Sequence, residues 1–199
     1  MLVFMKTGDL SQRERILKTA AQLFARRGFH AVGMTELQEA VQLGRGALYH
    51  HIRSKEELLY DISREYISDL IASATEAGEE QDAREIIQRL GRDLVHKIAS
   101  HQAELTVCFR EVHSLTAERH AEVMDLHVRY EGLWRSAMKK GADQGCFRPY
   151  DSILLKGVLG MYFYSYLWLR PGGALGSNVI AERLNELALR MLARDSVAN

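Results

Sequence analysis

Thr35-Glu-Leu-Gln-Glu-Ala-Val-Gln-Leu-Gly-Arg-Gly-Ala-Leu-Tyr-His-His-Ile-Arg-Ser-Lys55 is the stretch on which the reading of this chain turns. It predicts two short helices, roughly Thr35–Ala40 and Arg45–His51, joined by a tight turn. Helices of this length do not hold in water alone, so longer neighbours must brace them. The flanking sequence supplies such neighbours. Ser11-Gln-Arg-Glu14, Thr35-Glu-Leu-Gln38 and Ser54-Lys-Glu-Glu57 each match a capping box, in which the hydroxyl serves one orphan N–H and the acid or amide three residues on serves another. After Ser11, the residues Ile16, Leu17, Ala20, Leu23 and Phe24 recur at helical spacing, and Gly28 stands where a left-handed C-terminal cap is wanted. After Ser54 a second stripe runs through Leu58, Leu59, Ile62, Tyr66, Ile67 and Leu70 to about Gly78.

Past the acidic break at Glu79–Asp82, further helices are predicted at about 83–101, 104–114, 117–143, 151–169 and 177–193. Pro149 stops one of them and Arg170-Pro-Gly-Gly173 ends another. The expectation is an all-α chain of about nine helices. A helix-turn-helix domain would span 9–55 (the motif itself about 33–52), and a larger helical domain 56–197. Only 2 prolines, plentiful Ala, Leu, Glu, Arg and Gln, and 47% apolar residues in 199 agree with a sizeable helical core. Net charge is zero, but residues 1–60 carry 9 Lys/Arg against 6 Asp/Glu and the rest 17 against 20. That slight basic excess at the front is compatible with one nucleic-acid face. Two cysteines, Cys108 and Cys146, build no disulfide framework and fit a reducing cytoplasm. Met1–Lys6 has no leader pattern, and the apolar run Gly157–Leu169 is too short to cross a bilayer comfortably, so no membrane partner is expected.

A short helix pair braced by longer ones is the helix-turn-helix arrangement, with the second helix sized for the major groove. The residues suit that task. Thr35, at the start of the first helix, places a hydroxyl and free N–H groups for a phosphate. Gly44 and Gly46 flank Arg45 and leave room for close approach, while Arg45 reaches a base edge or a phosphate. Tyr49 and His50 are phosphate donors one turn on, and Lys55 adds an ammonium at the next helix start. From the residues alone, the same stretch equally suits a capped helix pair in an ordinary bundle.

Ala31-Val-Gly-Met-Thr35-Glu-Leu, Gly46-Ala-Leu-Tyr-His-His-Ile-Arg-Ser-Lys-Glu-Glu-Leu58 and Arg15-Ile-Leu-Lys-Thr-Ala-Ala-Gln-Leu-Phe-Ala-Arg-Arg-Gly28 resemble the N-terminal domain of TetR-type regulators. The likeness is dense over about 11–60. It departs at Gln38, Gln42 and Gly44, where the family usually has a small residue, glycine, and serine or threonine. These positions bear on the operator sequence. The resemblance implies a DNA-binding transcriptional regulator, double-stranded operator DNA as partner, no cofactor, and a homodimer through the last two helices. Helix 151–169, with little polar face and with Gly157 and Gly160, fits such a pairing. It also implies a repressor released by a small hydrophobic effector held between helices of the larger domain. Candidate lining residues are Tyr130, Trp134, Tyr162, Phe163, Tyr166 and Trp168, all of which also suit plain core. Gly145-Cys-Phe-Arg-Pro149 and Leu169-Arg-Pro-Gly-Gly173 resemble regulators of sterol and acyl-CoA breakdown, so an acyl-CoA or hydrophobic acid is the expected effector class. The arginine and tryptophan of the sterol-side-chain type fall at Leu159 and Phe163 here, so the likeness does not extend to that ligand.

Two other readings remain. A helical enzyme would need a nucleophile–base or metal constellation, and no Ser/His/Asp pattern, His-Glu-x-x-His or glycine-rich phosphate loop is present. A helical adaptor without DNA binding would keep the bundle. His113, His120 and His127 recur every seven residues, too widely spaced for two of them on one helix to hold a metal alone, so no metal site is predicted. Cys108 reads as a buried thiol.

Overall fold

A computed structural model of the chain describes residues 11–76, 82–170 and 172–194. Gly78, Glu79–Gln81 and Pro171, used above as breaks, lie outside the described residues, as does the start Met1–Lys6. The described residues form nine α-helices: α1 (Gln12–Arg27), α2 (Met34–Val41), α3 (Arg45–His51), α4 (Lys55–Glu76), α5 (Ala83–Ser100), α6 (Gln102–Glu111), α7 (Ala117–Asp143), α8 (Ser152–Tyr164) and α9 (Ser177–Leu192). Short 3-10 turns follow α6 at Val112–Ser114 and α8 at Ser165–Leu167. Outside the helices, an isolated antiparallel bridge pairs Phe147 with Ala193. No helix among the described residues is long and apolar enough to cross a membrane.

The caps explain the helix starts. At α1 the capping box is complete: Ser11 Oγ accepts from the Glu14 N–H at 3.2 Å, and Glu14 accepts from the Ser11 N–H at 2.7 Å. Those bonds hold the Glu14 carboxyl below its usual range. At α4, Ser54 Oγ accepts from the Glu57 N–H at 3.0 Å, and the Glu57 carboxylate reaches one residue further back, to the Arg53 N–H at 2.5 Å. The Thr35–Gln38 box does not form. Helix α2 begins one residue earlier, at Met34, with extended Gly33 as its N-cap, so Thr35 already lies inside the helix. The helix expected over 151–169 also ends early. Ser165 caps α8, and its carbonyl accepts from both Trp168 and Leu169 N–H groups at 3.1 and 2.8 Å, closing a tighter turn.

The chain divides into two compact units. The first comprises Met1–Glu65 and Ala103–Val123, the second Tyr66–Gln102 and Met124–Asn199. The unit holding the helix-turn-helix is therefore larger than residues 9–55. Leu105, Val107, Cys108 and Val112 are buried in it, beside a core of Ile16, Leu17, Ala20, Phe24, Leu37, Val41, Leu48, Ile52, Leu58 and Leu59. Each of the larger side chains contributes roughly 1.5–3 kcal/mol by leaving water. Polar contacts fix the added segment. Glu56 accepts from the Thr116 N–H at 3.2 Å and pairs with Arg119, Tyr60 donates to Glu122, and Ser114 Oγ lies 3.0 Å from His30 Nε2. The Glu122 contact pushes the Tyr60 phenol above its ordinary pKa.

In the second unit α5 packs along α9 through Ile87, Leu90, Leu94 and Ile98 on one side and Ile180, Ala181, Leu184 and Ala188 on the other. Gly91 permits the close approach: a Cβ there would stand 2.1 Å from Asn185 Oδ1 and 2.4 Å from the Tyr162 hydroxyl. Tyr162 donates to Asn185 at 2.5 Å, and Asn185 donates to the Gln88 carbonyl at 2.8 Å, so one buried chain of bonds ties α8, α9 and α5 together. The opposite faces of α8 and α9 are bare. Ile153 is 76% exposed, Tyr164 63%, Val179 42% and Leu187 47%, and nothing lies within 4 Å of a Cβ placed on Gly160.

Candidate nucleic-acid interface

Helix α3 presents almost its whole surface. Gly44, Arg45, Gly46, Ala47, Tyr49 and His50 line its open side, and only Leu48 is buried, with Ile52 beyond the helix end anchoring the other side. The alternation is dictated by composition, because Leu48 is the one aliphatic side chain larger than alanine in the helix and must point inward. Gly44 is the N-cap in extended conformation, and a Cβ at Gly44 or Gly46 would meet nothing within 4 Å. The leading end of α3 is thus free of steric cover. The Arg45 guanidinium lies over the Tyr49 ring at 5.8 Å, a cation–π contact that holds two candidate donors together.

The turn before α3 is set by Gln42, which adopts the left-handed region at φ 56°, ψ 42°. Its N–H bonds to the Glu39 carbonyl at 3.2 Å, and the Leu43 N–H to the Gln38 carbonyl at 3.2 Å. A non-glycine residue held there costs roughly 1–2 kcal/mol. Thr35 lies on the first turn of α2, near Gly33, and that helix start has no side-chain cap. Its free N–H groups and hydroxyl remain suited to an anion.

Lys55 stands at the start of α4, as expected, and its ammonium also has partners within the protein. Its ammonium donates to the carbonyls of Phe29 at 2.8 Å and Val32 at 2.9 Å and stands 4.4 Å from the Phe29 ring centre. It therefore braces the loop before α2, with one of its three protons left over. A residue that the sequence did not single out positions α3. Arg13 of α1 donates to the carbonyl of His51, the last residue of α3, at 2.7 Å and to Asp61 of α4 at 2.5 Å. Partners 38 and 48 residues apart leave no trace in local patterning, so only the fold reveals this clamp.

In the second unit four of the six candidate effector residues form one cluster. Tyr130 meets Phe163 edge-on at 6.4 Å, and Trp134 meets Tyr162 at 5.2 Å. Tyr130, Trp134 and Tyr162 are almost fully buried. Of the remaining two, Trp168 is 46% exposed, and Tyr166 offers its carbonyl to Gln102 at 2.8 Å. His113 and His120 stack at 5.5 Å, and no group of three or more metal-ligating side chains occurs among the described residues. Cys108 is buried, and burial pushes its thiol up to about 12.

Known proteins share this architecture. Residues 16–62 match the family of bacterial regulatory proteins called tetR, and residues 80–192 match the tetracyclin repressor-like C-terminal domain. The HTH-type transcriptional repressor KstR2 of Rhodococcus jostii (strain RHA1) is 27% identical over 191 residues, 94% of each chain. The TetR family transcriptional regulator PfmR from Thermus thermophilus superposes with a TM-score of 0.83 at 32% identity, over 90% of this chain and 100% of that one. AibR, in a crystal structure with isovaleryl coenzyme A and operator DNA, superposes with a TM-score of 0.78 at 25% identity, over 92% of this chain and 98% of the other.

Proposed function

The chain belongs to the TetR family, a family of transcriptional regulators and not of enzymes, and from that premise we propose a homodimeric repressor that a small hydrophobic effector releases from its operator. The observation that carries the reading is the exposed face of α3 on its buried Leu48–Ile52 anchor. Arg45 is the base-reading residue, because its planar fork matches the O6 and N7 of a guanine. Thr35, Tyr49 and His50 grip phosphates, Gly44 and Gly46 let the backbone close on the duplex, and Lys55 acts chiefly by fixing the loop and α2 beside it. Each phosphate neutralised steepens the salt dependence of binding.

The bare stripe of Ile153, Gly160 and Tyr164 on α8, with Val179 and Leu187 on α9, is the proposed pairing surface with a second copy. Two α3 helices about one DNA turn apart (~34 Å) then enter successive major grooves. The effector site is assigned to the second unit, around Tyr130, Trp134, Tyr162 and Phe163. The similarity to AibR supports an acyl-CoA or related hydrophobic acid. The effector acts by binding one spacing of the α3 pair better than the other.

A mobility-shift assay on DNA flanking the protein's own gene tests the reading. A shift at low salt that Arg45→Ala and Tyr49→Ala weaken, and that hydrophobic acyl-CoA thioesters reverse, is the expected result. A folded dimer that shifts no such DNA at low salt overturns it.

A further inference from the structure

The described residues of the second unit hold a cavity of about 320 Å³ between the end of α5 and the start of α9. That volume stands at the lower end of the roughly 300–1,000 Å³ that small-molecule sites span. His96 and Ala99 of α5 and Ser177 of α9 face it, together with Leu169, Arg170 and Leu175 of the segment that leads into α9. The lining has two characters. Ala99, Leu169 and Leu175 are apolar, and Leu175 is left 59% exposed. Arg170 brings a fixed positive charge, its side chain bonds to none of the described residues, and no acid lines the cavity. Bonds within the fold hold this frame. His96 Nε2 lies 2.7 Å from Asn178 Oδ1, which joins α5 to α9, and Gln102 donates to the carbonyls of Tyr166 and Leu169 at 2.8 and 2.9 Å. The Gly173 N–H donates to the Arg170 carbonyl at 2.9 Å, in a turn where Gly172 takes the left-handed φ of 74° that glycine adopts freely.

We propose that this cavity binds an amphiphilic carboxylate, its acid group on Arg170 and its apolar chain against Ala99, Leu169 and Leu175. The site is separate from the aromatic cluster, since Tyr130, Trp134, Tyr162 and Phe163 do not line it, and the proposal does not rest on the effector reading above. A guanidinium presents a planar fork that meets both oxygens of a carboxylate, and the pairing is charge-assisted. With no acid in the lining, no like charge opposes the guest. Neither half of the cavity is sufficient alone. Arg170 is exposed, so an ion pair to it gains little while water competes for both partners. The apolar chain supplies the rest, by taking its own surface and that of Leu175 out of water.

The test is equilibrium dialysis of the full-length protein against three radiolabelled probes. They are octanoate, octanol with the same chain and no charge, and acetate with the charge and no chain. Octanoate is expected to bind with a Kd below about 1 mM, and octanol and acetate each about 10-fold or more weaker. Arg170→Gln should weaken octanoate about 10-fold and leave octanol unchanged. Leu175→Ser should weaken octanoate and octanol alike, about 3-fold. Both side chains are exposed, so neither variant should lower the melting temperature. No retention of octanoate at millimolar concentration overturns the proposal. So does octanol bound as tightly as octanoate, which would reduce the site to apolar contact. Octanoate binding that Arg170→Gln or Leu175→Ser leaves intact overturns it as well, because the acid would then sit elsewhere on the chain, such as the bare face of α8 and α9.

Discussion

Arg13→Ala should destabilise the first unit by about 2 kcal/mol. An ion pair broken by deleting one partner costs roughly 3–5 kcal/mol when buried, and an exposed pair is worth about 0–1. The Arg13–Asp61 pair lies between, with side chains 41% and 11% exposed. What the deletion leaves is the less exposed carboxylate, together with a His51 carbonyl that turns to water. The pH dependence has a definite sign. Burial holds the Asp61 carboxyl above its ordinary range, and Arg13 pulls it back. An acid raised in the folded state penalises folding once it ionises, and the penalty is relieved as pH falls through the folded value. Removing Arg13 raises Asp61 further, so the deficit should be largest near neutral pH and shrink as the solution is acidified. Urea titrations followed by circular dichroism at fixed protein concentration measure it. Adding Asp61→Asn to Arg13→Ala should recover about half the loss, since a neutral amide needs no counter-charge. A midpoint equal to the parent's, or a deficit that grows in acid, would refute the reasoning.

Other outcomes follow from particular contacts. Gln42→Gly should stabilise by up to about 1 kcal/mol in the same titration, by relieving the left-handed φ of 56°. Gly91→Ala should cost at least ~2–3 kcal/mol, because its Cβ would sit 2.1 Å from Asn185 Oδ1 and break the Tyr162–Asn185 bond; a thermal melt of the variant measures this. Mass-spectrometric mapping after iodoacetamide treatment at about pH 8 should find Cys146 labelled long before Cys108, whose thiol is pushed up to about 12. On the proposed reading, Tyr49→Phe should weaken operator and non-specific DNA binding alike and leave the salt slope nearly unchanged, whereas Arg45→Ala should lower the slope by up to about one and relax sequence preference.

Much of this was legible in the sequence, and the failures have physical causes. Capping chemistry is local, so Ser11 and Ser54 marked the starts of α1 and α4. Helix α3 spans the Arg45–His51 expected, and α7 runs over the full 117–143 expected. Thr35 misled because its pattern fits a cap while Gly33 offers an extended backbone two residues earlier. The exposed face of α3 follows from Leu48 standing alone among small and polar neighbours. The Arg13 clamp, the brace made by Lys55, and the inclusion of residues 103–123 in the first unit do not follow, because they depend on pairings across tens of residues. The aromatic cluster was visible as a set of residue types, but which rings meet depends on how α7 and α8 pack.

The uncovered leading end of α3 has an evolutionary consequence. At Gly44 and Gly46 an added side chain would meet no neighbour, and neither residue has a positive φ, so substitution there strains nothing in the fold. With Arg45, Ala47 and His50 also facing outward, the surface proposed to read the DNA sequence is held by Leu48 and Ile52 rather than by its own members. Operator preference can therefore drift by single substitutions without passing through unfolded intermediates. A library randomised at these positions would consist mostly of folded proteins that differ in what they read.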